Sequence, residues 1–369
     1  MKRSVEVLFP WFTDVENYYS CDPRTMEYSI TLVKSVPFVS RLCGCDKCKS
    51  FEEISYSNLW IFGAACYFVG CCLHNYTTEL SFDVLVSLID GCTCFELQKA
   101  LNSVLLRVVS FKYIENPVTK ENTIKKIKRD NGAKISMSEV HVTKKYPSDI
   151  GTWFGHHQNY IREITAIDKL RGCDGIVKVF GLVDRGFVME KAYCDADDIR
   201  IVNFPFETKE KLCSDIVDTV RYIHSHGVAH RDIKTENILI FRTSENGDYK
   251  AKLCDFGIAR FAGDCEGDMY TGEVCSMQYR PPELVKCGAM YAKYNPVKVD
   301  LWSLGCVIFK ILSGTSFVRE YYDNYDRYSS IISSRYNGLE LIIPPNMEKS
   351  ALCGVMRGCL NIYPNLRTI

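Results

Sequence analysis

The chain has 369 residues, 47% of them hydrophobic and 24% charged, a globular mix that excludes wholesale disorder, collagen and coiled coil. Lys plus Arg number 45 and Asp plus Glu number 45, so the surplus positive charge of a phosphate-backbone binder is lacking and nucleic acid is not expected as a partner. At roughly 100–200 residues per domain the length holds two or three domains, and the 19 irregularly spaced cysteines read as free thiols in an intracellular compartment, cytoplasm or nucleus.

From the N-terminus, apolar residues recur at helical spacing over Tyr28 to Leu42, Leu59 to Leu73, Phe82 to Ile89 and Phe95 to Val109. This pattern predicts an all-α bundle with short loops in residues 1–113. Ser55 to Thr78 lacks Asp, Glu, Lys and Arg, which raises a membrane span. Its continuously apolar part, Leu59 to Leu73, falls short of a ~30 Å hydrocarbon core at ~1.5 Å per residue. A buried helix is therefore expected and no membrane association. Cys43, Cys45 and Cys48 lie close enough to ligate a metal but lack an evident fourth ligand, so a thiol-bearing loop is expected.

Near Lys112 the character changes. Ile135 to Val142, Ile176 to Leu182 and Phe187 to Glu190 read as strands, with Asn131-Gly132 as a hairpin turn, and helices follow. Residues 114–369 are therefore expected to form an α+β module.

That module carries His230-Arg231-Asp232-Ile233-Lys234-Thr235-Glu236-Asn237, then Asp255-Phe256-Gly257, then Arg280-Pro281-Pro282-Glu283 and Asp300-Leu301-Trp302-Ser303-Leu304-Gly305. In this order and spacing the motifs resemble the eukaryotic protein kinase signature, over about residues 114–369. The resemblance implies a bilobal α+β protein kinase fold with lobes of about 114–190 and 191–369, ATP and Mg²⁺ as cofactors, and transfer of the γ-phosphate to protein Ser or Thr. It implies Asp232 as acceptor of the substrate hydroxyl's hydrogen bond, Lys234 as a cation beside the moving phosphate, and Asp255 and Asn237 as metal ligands. The nucleotide-pairing Lys is expected at Lys144, with Lys145 open as the alternative, and its helix partner at Glu163. Met189 matches the residue that guards the adenine pocket, Glu190 to Ala192 the hinge, Asp195 the ribose contact and Leu239 the pocket floor. Pro364-Asn365-Leu366-Arg367 resembles the segment whose Arg pairs with Glu283.

One departure bears on activity. The phosphate-covering loop of the family is rich in glycine, because only Gly lets backbone N–H groups approach phosphate closely. The corresponding segment here, near Asn116 to Thr123, has none. A catalytically weak pseudokinase or scaffold that binds cyclins or kinases is therefore the alternative reading.

Tyr270-Thr271-Gly272-Glu273-Val274-Cys275-Ser276-Met277-Gln278-Tyr279-Arg280 resembles the activation segment of cyclin-dependent kinases. Thr271 then falls on the activating phosphorylation site, and Arg162, Arg231 and Arg260 on the positions that receive a phosphate of about −2 charge. Ser276 matches the hydroxyl that bridges the catalytic Asp and Lys, and Arg280 with the Val274-Cys275 backbone would select Pro after the acceptor Ser or Thr. Gln158 to Ile164 resembles the helix that cyclins grip, with an apolar stripe of Ile161, Ile164 and Ile167 of which Ile161 is expected to face a partner. Residues 1–113 in turn resemble one cyclin box, although the Lys and Glu of the cyclin contact are replaced by Cys72 and Asn102. The expected partners are Ser/Thr-Pro protein substrates and an activating kinase or external cyclin, with the fused module activating in cis.

Overall fold

The computed structural model describes residues 64–66, 68, 69, 100, 101, 104, 109, 125–128, 133–147, 153–244, 248–261, 270, 271, 274–287, 291–318, 328, 345–348 and 350–369. The chain divides into two compact units. One comprises Met1–Asp168 and Phe180–Met189, the other Lys169–Val179 and Glu190–Ile369.

In the first unit, strands β1 (Lys125–Lys128), β2 (Lys134–Met137), β3 (His141–Lys145), β4 (Val179–Val183) and β5 (Gly186–Glu190) form one sheet in the order β1-β2-β3-β5-β4. β1 and β2 pair antiparallel with Lys128 opposite Lys134, and the turn expected at Asn131-Gly132 lies outside the described residues. Ile135 to Val142 is not a single strand. It is two arms, β2 and β3, folded back with Met137 opposite Val142. Ser138 makes the turn: its N–H and hydroxyl both donate to the His141 carbonyl, at 2.9 and 3.1 Å, and its hydroxyl accepts the His141 N–H at 3.0 Å. A Ser hydroxyl can thus close a turn that side-chain alternation alone conceals. Ile176 likewise stands outside β4, in a single parallel bridge to Leu253.

Helix α1 (Trp153–Lys169) follows β3 in the chain. Every residue from Tyr160 to Ile167 except Thr165 is buried, Ile161 and Ile164 fully. Ile161, expected to face a partner, is thus covered within the chain itself.

In the second unit, β6 (Cys194–Asp195), β8 (Ile238–Arg242) and β9 (Tyr249–Leu253) form a sheet in the order β6-β8-β9, while β7 (Val228–Ala229) pairs with β10 (Arg260–Phe261) and β11 (Tyr270–Thr271) with β12 (Tyr291–Ala292). Helices α2 (Ile199–Val202), α3 (Phe206–Ser225), α4 (Pro282–Cys287), α5 (Pro296–Ser313), α6 (Pro345–Glu348) and α7 (Leu352–Cys359) complete the described elements. The unit is organised on α5, which is buried without interruption from Val299 to Phe309. Its ends are written in the sequence. The Asn295 side chain caps the N–H groups of Val297 and Lys298, Pro296 opens the first turn, and Gly314 at φ +82° closes the last. Gly305 lets α7 pack closely, since a Cβ there would fall 2.6 Å from the Leu360 side chain.

Arg367 pairs with Glu283, as the resemblance implies. Its Nη1 and Nη2 meet the two carboxylate oxygens at 2.6 and 2.7 Å, the two-point geometry that fixes a guanidinium on a carboxylate. Nη1 also donates to the Lys298 carbonyl, Nε to the Asn361 carbonyl, and the guanidinium lies 5.1 Å from the Trp302 ring centroid. These contacts let a fully buried arginine tie α4, α5 and the C-terminal segment together.

No helix among the described residues is long and apolar enough to cross a membrane. The cysteines at 66, 173, 194, 213, 254, 275, 306, 353 and 359 are free thiols. Among the described residues no group of three or more His, Cys, Asp and Glu could hold a metal, and Cys43, Cys45 and Cys48 lie outside them. Also outside are Cys72, Asn102, the 116–123 segment and most of the expected N-terminal helices.

Candidate active site

In the first unit, β3 alternates so that Lys144 turns inward and Lys145 outward; Lys144 is 4% exposed and Lys145 is exposed. The structure therefore pairs Lys144, rather than Lys145, with Glu163. Lys144 Nζ lies 3.0 Å from Oε1 and 2.8 Å from Oε2 of Glu163. Gly186 makes room beside Lys144, since a Cβ there would sit 2.1 Å from the Lys144 carbonyl oxygen. Tyr146 also donates its phenol to Glu163 Oε2. Arg162, beside Glu163 on α1, is buried. Met189, near the end of β5, is buried as well.

In the second unit, the segment from His230 to Asn237 is held from below by Asp300 on α5, which is fully buried. Asp300 accepts the N–H of His230 on Oδ2 and that of Arg231 on Oδ1, both at 2.7 Å, and His224 Nε2 lies 2.8 Å from Oδ2. This matters because Arg231 has φ +69°, a left-handed conformation that a non-glycine residue keeps only when its surroundings impose it. Asp255, at φ +66°, is another such residue. Next to it, the Cys254 carbonyl accepts from His230 Nε2 at 2.9 Å, while His230 Nδ1 accepts the Asp232 N–H at 3.2 Å. Those two partners require the ring proton on Nε2. The imidazole thereby ties the Asp232 loop to the Asp255 segment.

Asp232 gathers a closed network. Ser276 donates its hydroxyl and its N–H to Oδ1, at 3.2 and 3.3 Å. Lys234 Nζ lies 2.8 Å from Oδ2, and Asn237 Nδ2 reaches Oδ2 at 3.1 Å and the Asp232 carbonyl at 2.9 Å. Lys234 Nζ also donates to Ser276 Oγ at 3.0 Å, which closes the ring. Burial works against the Lys234 charge, but Asp232, with smaller contributions from Glu236 and Asp255, outweighs it and raises the ammonium pKa.

Asn237 precedes β8 and Asp255 follows β9, and the antiparallel register of Ile238 with Leu253 sets them at one end of the pair. The Cys254 N–H donates to the Asn237 carbonyl at 3.0 Å, so the register holds to the end. Asn237 commits its amide nitrogen to Asp232 and keeps its amide oxygen for another partner. Two oxygen donors at one strand end suit a hard divalent cation, which prefers oxygen ligands.

Asp195 on β6 faces Leu239 on β8, and Leu239 faces Lys252 on β9. Lys252 Nζ is 2.7 Å from Glu190 Oε1, which also accepts the Lys178 N–H at 2.7 Å. Asp195, Leu239, Glu190 and Lys252 are therefore neighbours, and Ala192 lies half-buried in the connection between Glu190 and β6. Asp195 accepts the Asp197 N–H at 3.1 Å.

Cys275 has φ +64°, and Arg280 donates to its carbonyl from Nε at 3.3 Å and Nη2 at 3.1 Å. Arg231 and Arg260 are both buried, and the register of Arg260 with Ala229 brings them near each other. Burial raises the pKa of the Tyr294 phenol, and the positive charges of Arg231 and Arg260 act in the opposite direction. Thr271 on β11 faces Tyr291 on β12, three residues before Tyr294.

Several contacts were not anticipated from the sequence. Tyr146 and Asp300 have been described. A third cluster joins Thr235, whose hydroxyl lies 2.8 Å from Asp197 Oδ1 and 2.7 Å from the Tyr279 phenol, to Lys310, which bonds Asp197 and reaches that phenol at 3.1 Å. A carboxylate at Asp300 and an ammonium at Lys310, within the mostly apolar run from Val299 to Leu312, were the available signals.

The family model described as protein kinase domain matches residues 119–368, and the chain belongs to that family. It is 45% identical over 97 residues to a mitogen-activated protein kinase 13 of Oryza sativa subsp. indica, covering 26% of this chain and 18% of that protein. It is 31% identical over 185 residues to a cyclin-dependent kinase-like 2 of Rattus norvegicus, covering 49% and 30%. It is 32% identical over 163 residues to a CTD kinase subunit alpha of Schizosaccharomyces pombe, covering 42% and 26%. The matches thus span less than a third of each of these relatives.

Proposed function

We propose that the chain is a Ser/Thr protein kinase that uses ATP and Mg²⁺, prefers Ser or Thr followed by Pro, and is activated in cis by a cyclin-box-like module in residues 1–113. The carrying observation is the closed network on Asp232. An acceptor-only carboxylate, flanked by a lysine and held at a fixed place, can orient a substrate hydroxyl and receive its proton while Lys234 lies beside the incoming negative charge. Ser276 fixes both partners. Asn237 and Asp255 would hold Mg²⁺, which when bound neutralises charge on the nucleotide phosphates. Lys144, kept in place by Glu163, would pair with the phosphates. Met189, Glu190 and Ala192 would line the adenine, Asp195 would meet the ribose and Leu239 would floor the pocket. The relatives' names support a kinase of cyclin-dependent or mitogen-activated type.

The preference for proline rests on Cys275. Its carbonyl is already engaged by Arg280, so a substrate N–H arriving there would be desolvated without an acceptor. Proline has no N–H and loses nothing. The full chain is expected to favour a Ser-Pro peptide over its Ser-Ala counterpart by roughly tenfold or more in kcat/KM. Arg280→Ala, which releases the carbonyl, is expected to narrow that ratio. Equal rates on the two peptides in the wild type would defeat the preference and leave the kinase reading standing.

Activation in cis is supported by the burial of every α1 residue from Tyr160 to Ile167 except Thr165. A sheet can cover only one face of a helix, so the opposite face needs a second cover from the chain. Ala64, Ala65, Cys66, Phe68, Val69, Ala100, Leu101 and Val104, the described helical residues of the first module, are themselves buried. Residues 114–369 alone are expected to show a loss of at least tenfold in kcat/KM relative to the full chain. Undiminished activity would contradict the cis role. Thr271 would be the activating phosphorylation site, with Arg162, Arg231 and Arg260 as its receivers and an upstream kinase as partner.

A further inference from the structure

We propose that Tyr146 is a positioning residue for the Lys144–Glu163 pair, its phenol fixing the Glu163 carboxylate so that Lys144 stays presented to the nucleotide. The inference deepens the kinase reading and rests on it.

The Lys144 and Glu163 side chains are 5% and 2% exposed. Taking two charges out of water is costly, and their mutual attraction compensates only when further hydrogen bonds satisfy what remains. A carboxylate offers about four lone-pair sites. Lys144 approaches both oxygens, and the Tyr146 phenol adds a second donor at Oε2.

Tyr146 is itself held from three sides. Its N–H donates to the Arg185 carbonyl at 2.8 Å, in the turn between β4 and β5. Its ring lies 5.6 Å, at a 45° tilt, from that of Tyr160, one turn before Glu163 on α1. Tyr160 in turn donates to the Gly186 carbonyl at 3.4 Å. Lys144 Nζ sits 5.3 Å from the Tyr146 ring centroid, within reach of a cation–π attraction. One side chain, 5% exposed, therefore contacts both members of the pair, the helix that carries one and the turn beside the strand that carries the other. Phenylalanine would fill nearly the same volume, but it has no O–H to donate to the carboxylate.

The test uses the full chain with a Ser-Pro peptide and varied MgATP, comparing wild type, Tyr146→Phe, Glu163→Gln and the double variant, with a thermal melt of each. Tyr146→Phe is expected to lower kcat/KM for MgATP about tenfold while leaving the melting transition in place. In the Glu163→Gln background the same change is expected to add nothing, because its effect runs through that carboxylate. Wild-type values in Tyr146→Phe, or an equal loss in both backgrounds, would overturn the proposal. Loss of the folding transition in Tyr146→Phe would overturn it too, making the hydroxyl a structural group. A wild type that transfers no phosphate would remove the underlying kinase reading, and the proposal with it, before any substitution is compared.

Discussion

Replacing Asp232 by Ala is expected to lower kcat for phosphoryl transfer by about 10²–10⁴-fold, the usual contribution of a positioned proton acceptor. The carboxylate is the one group that Ser276, Lys234 and Asn237 all address. Removing it takes away the site for the substrate hydroxyl and frees Lys234 from its main opposite charge. Because Asp232 and Lys234 remain partly accessible to water, the orphaned donors can be solvated, and the melting temperature is expected to move by only a few degrees. The KM for MgATP is expected to change little, since the nucleotide contacts proposed here belong to other residues. A matched fall in melting temperature would indicate collapse of the loop instead of loss of chemistry.

Asp300→Ala is expected to have the largest effect on stability. Asp300 is fully buried and supplies the acceptor for two backbone N–H groups, of His230 and Arg231, and the partner of His224. Truncation leaves two buried backbone donors without an acceptor, at about 1–3 kcal/mol each, a loss of about 3–5 kcal/mol in all. For a domain of this size that corresponds to a melting temperature roughly 10 °C lower. Activity is expected to fall as well, below the level that unfolding explains at a temperature where the variant is still folded. Arg231 would no longer be held at φ +69°, and Asp232, the next residue, depends on that backbone. Asp300→Asn keeps one acceptor and is expected to fall between wild type and Asp300→Ala. Thermal melts and initial rates on the three proteins check the order.

The protein kinase family was legible because its chemistry is written in contiguous runs. His230 to Asn237 and Asp255 to Gly257 need no tertiary information to be read. The Arg367–Glu283 pair was legible by the same route, from two short motifs far apart in the chain. What escaped the sequence depends on contacts between distant positions. Nothing near Tyr146 says that its phenol reaches Glu163; an aromatic at a strand end reads as core. Asp300 stands inside a recognised motif, yet its partners lie about 70 residues earlier and only the fold brings them together. The turn at Ser138 was hidden for a different reason. The alternation of Ile135 to Val142 runs straight through it, and a serine hydroxyl supplies the bonds that glycine or proline would have advertised. The choice between Lys144 and Lys145 needed the β3 pleat, which buries one and exposes the other.

Transfer of phosphate from ATP to a protein hydroxyl through the Asp232 cluster is the reaction proposed for this chain. The most direct measurement is incorporation of labelled γ-phosphate into a Ser-Pro peptide by the full chain in the presence of Mg²⁺, with Asp232→Ala as the blank. Wild-type incorporation is expected at least a hundredfold above that blank, dependent on Mg²⁺. Incorporation equal to the blank at millimolar MgATP would contradict it.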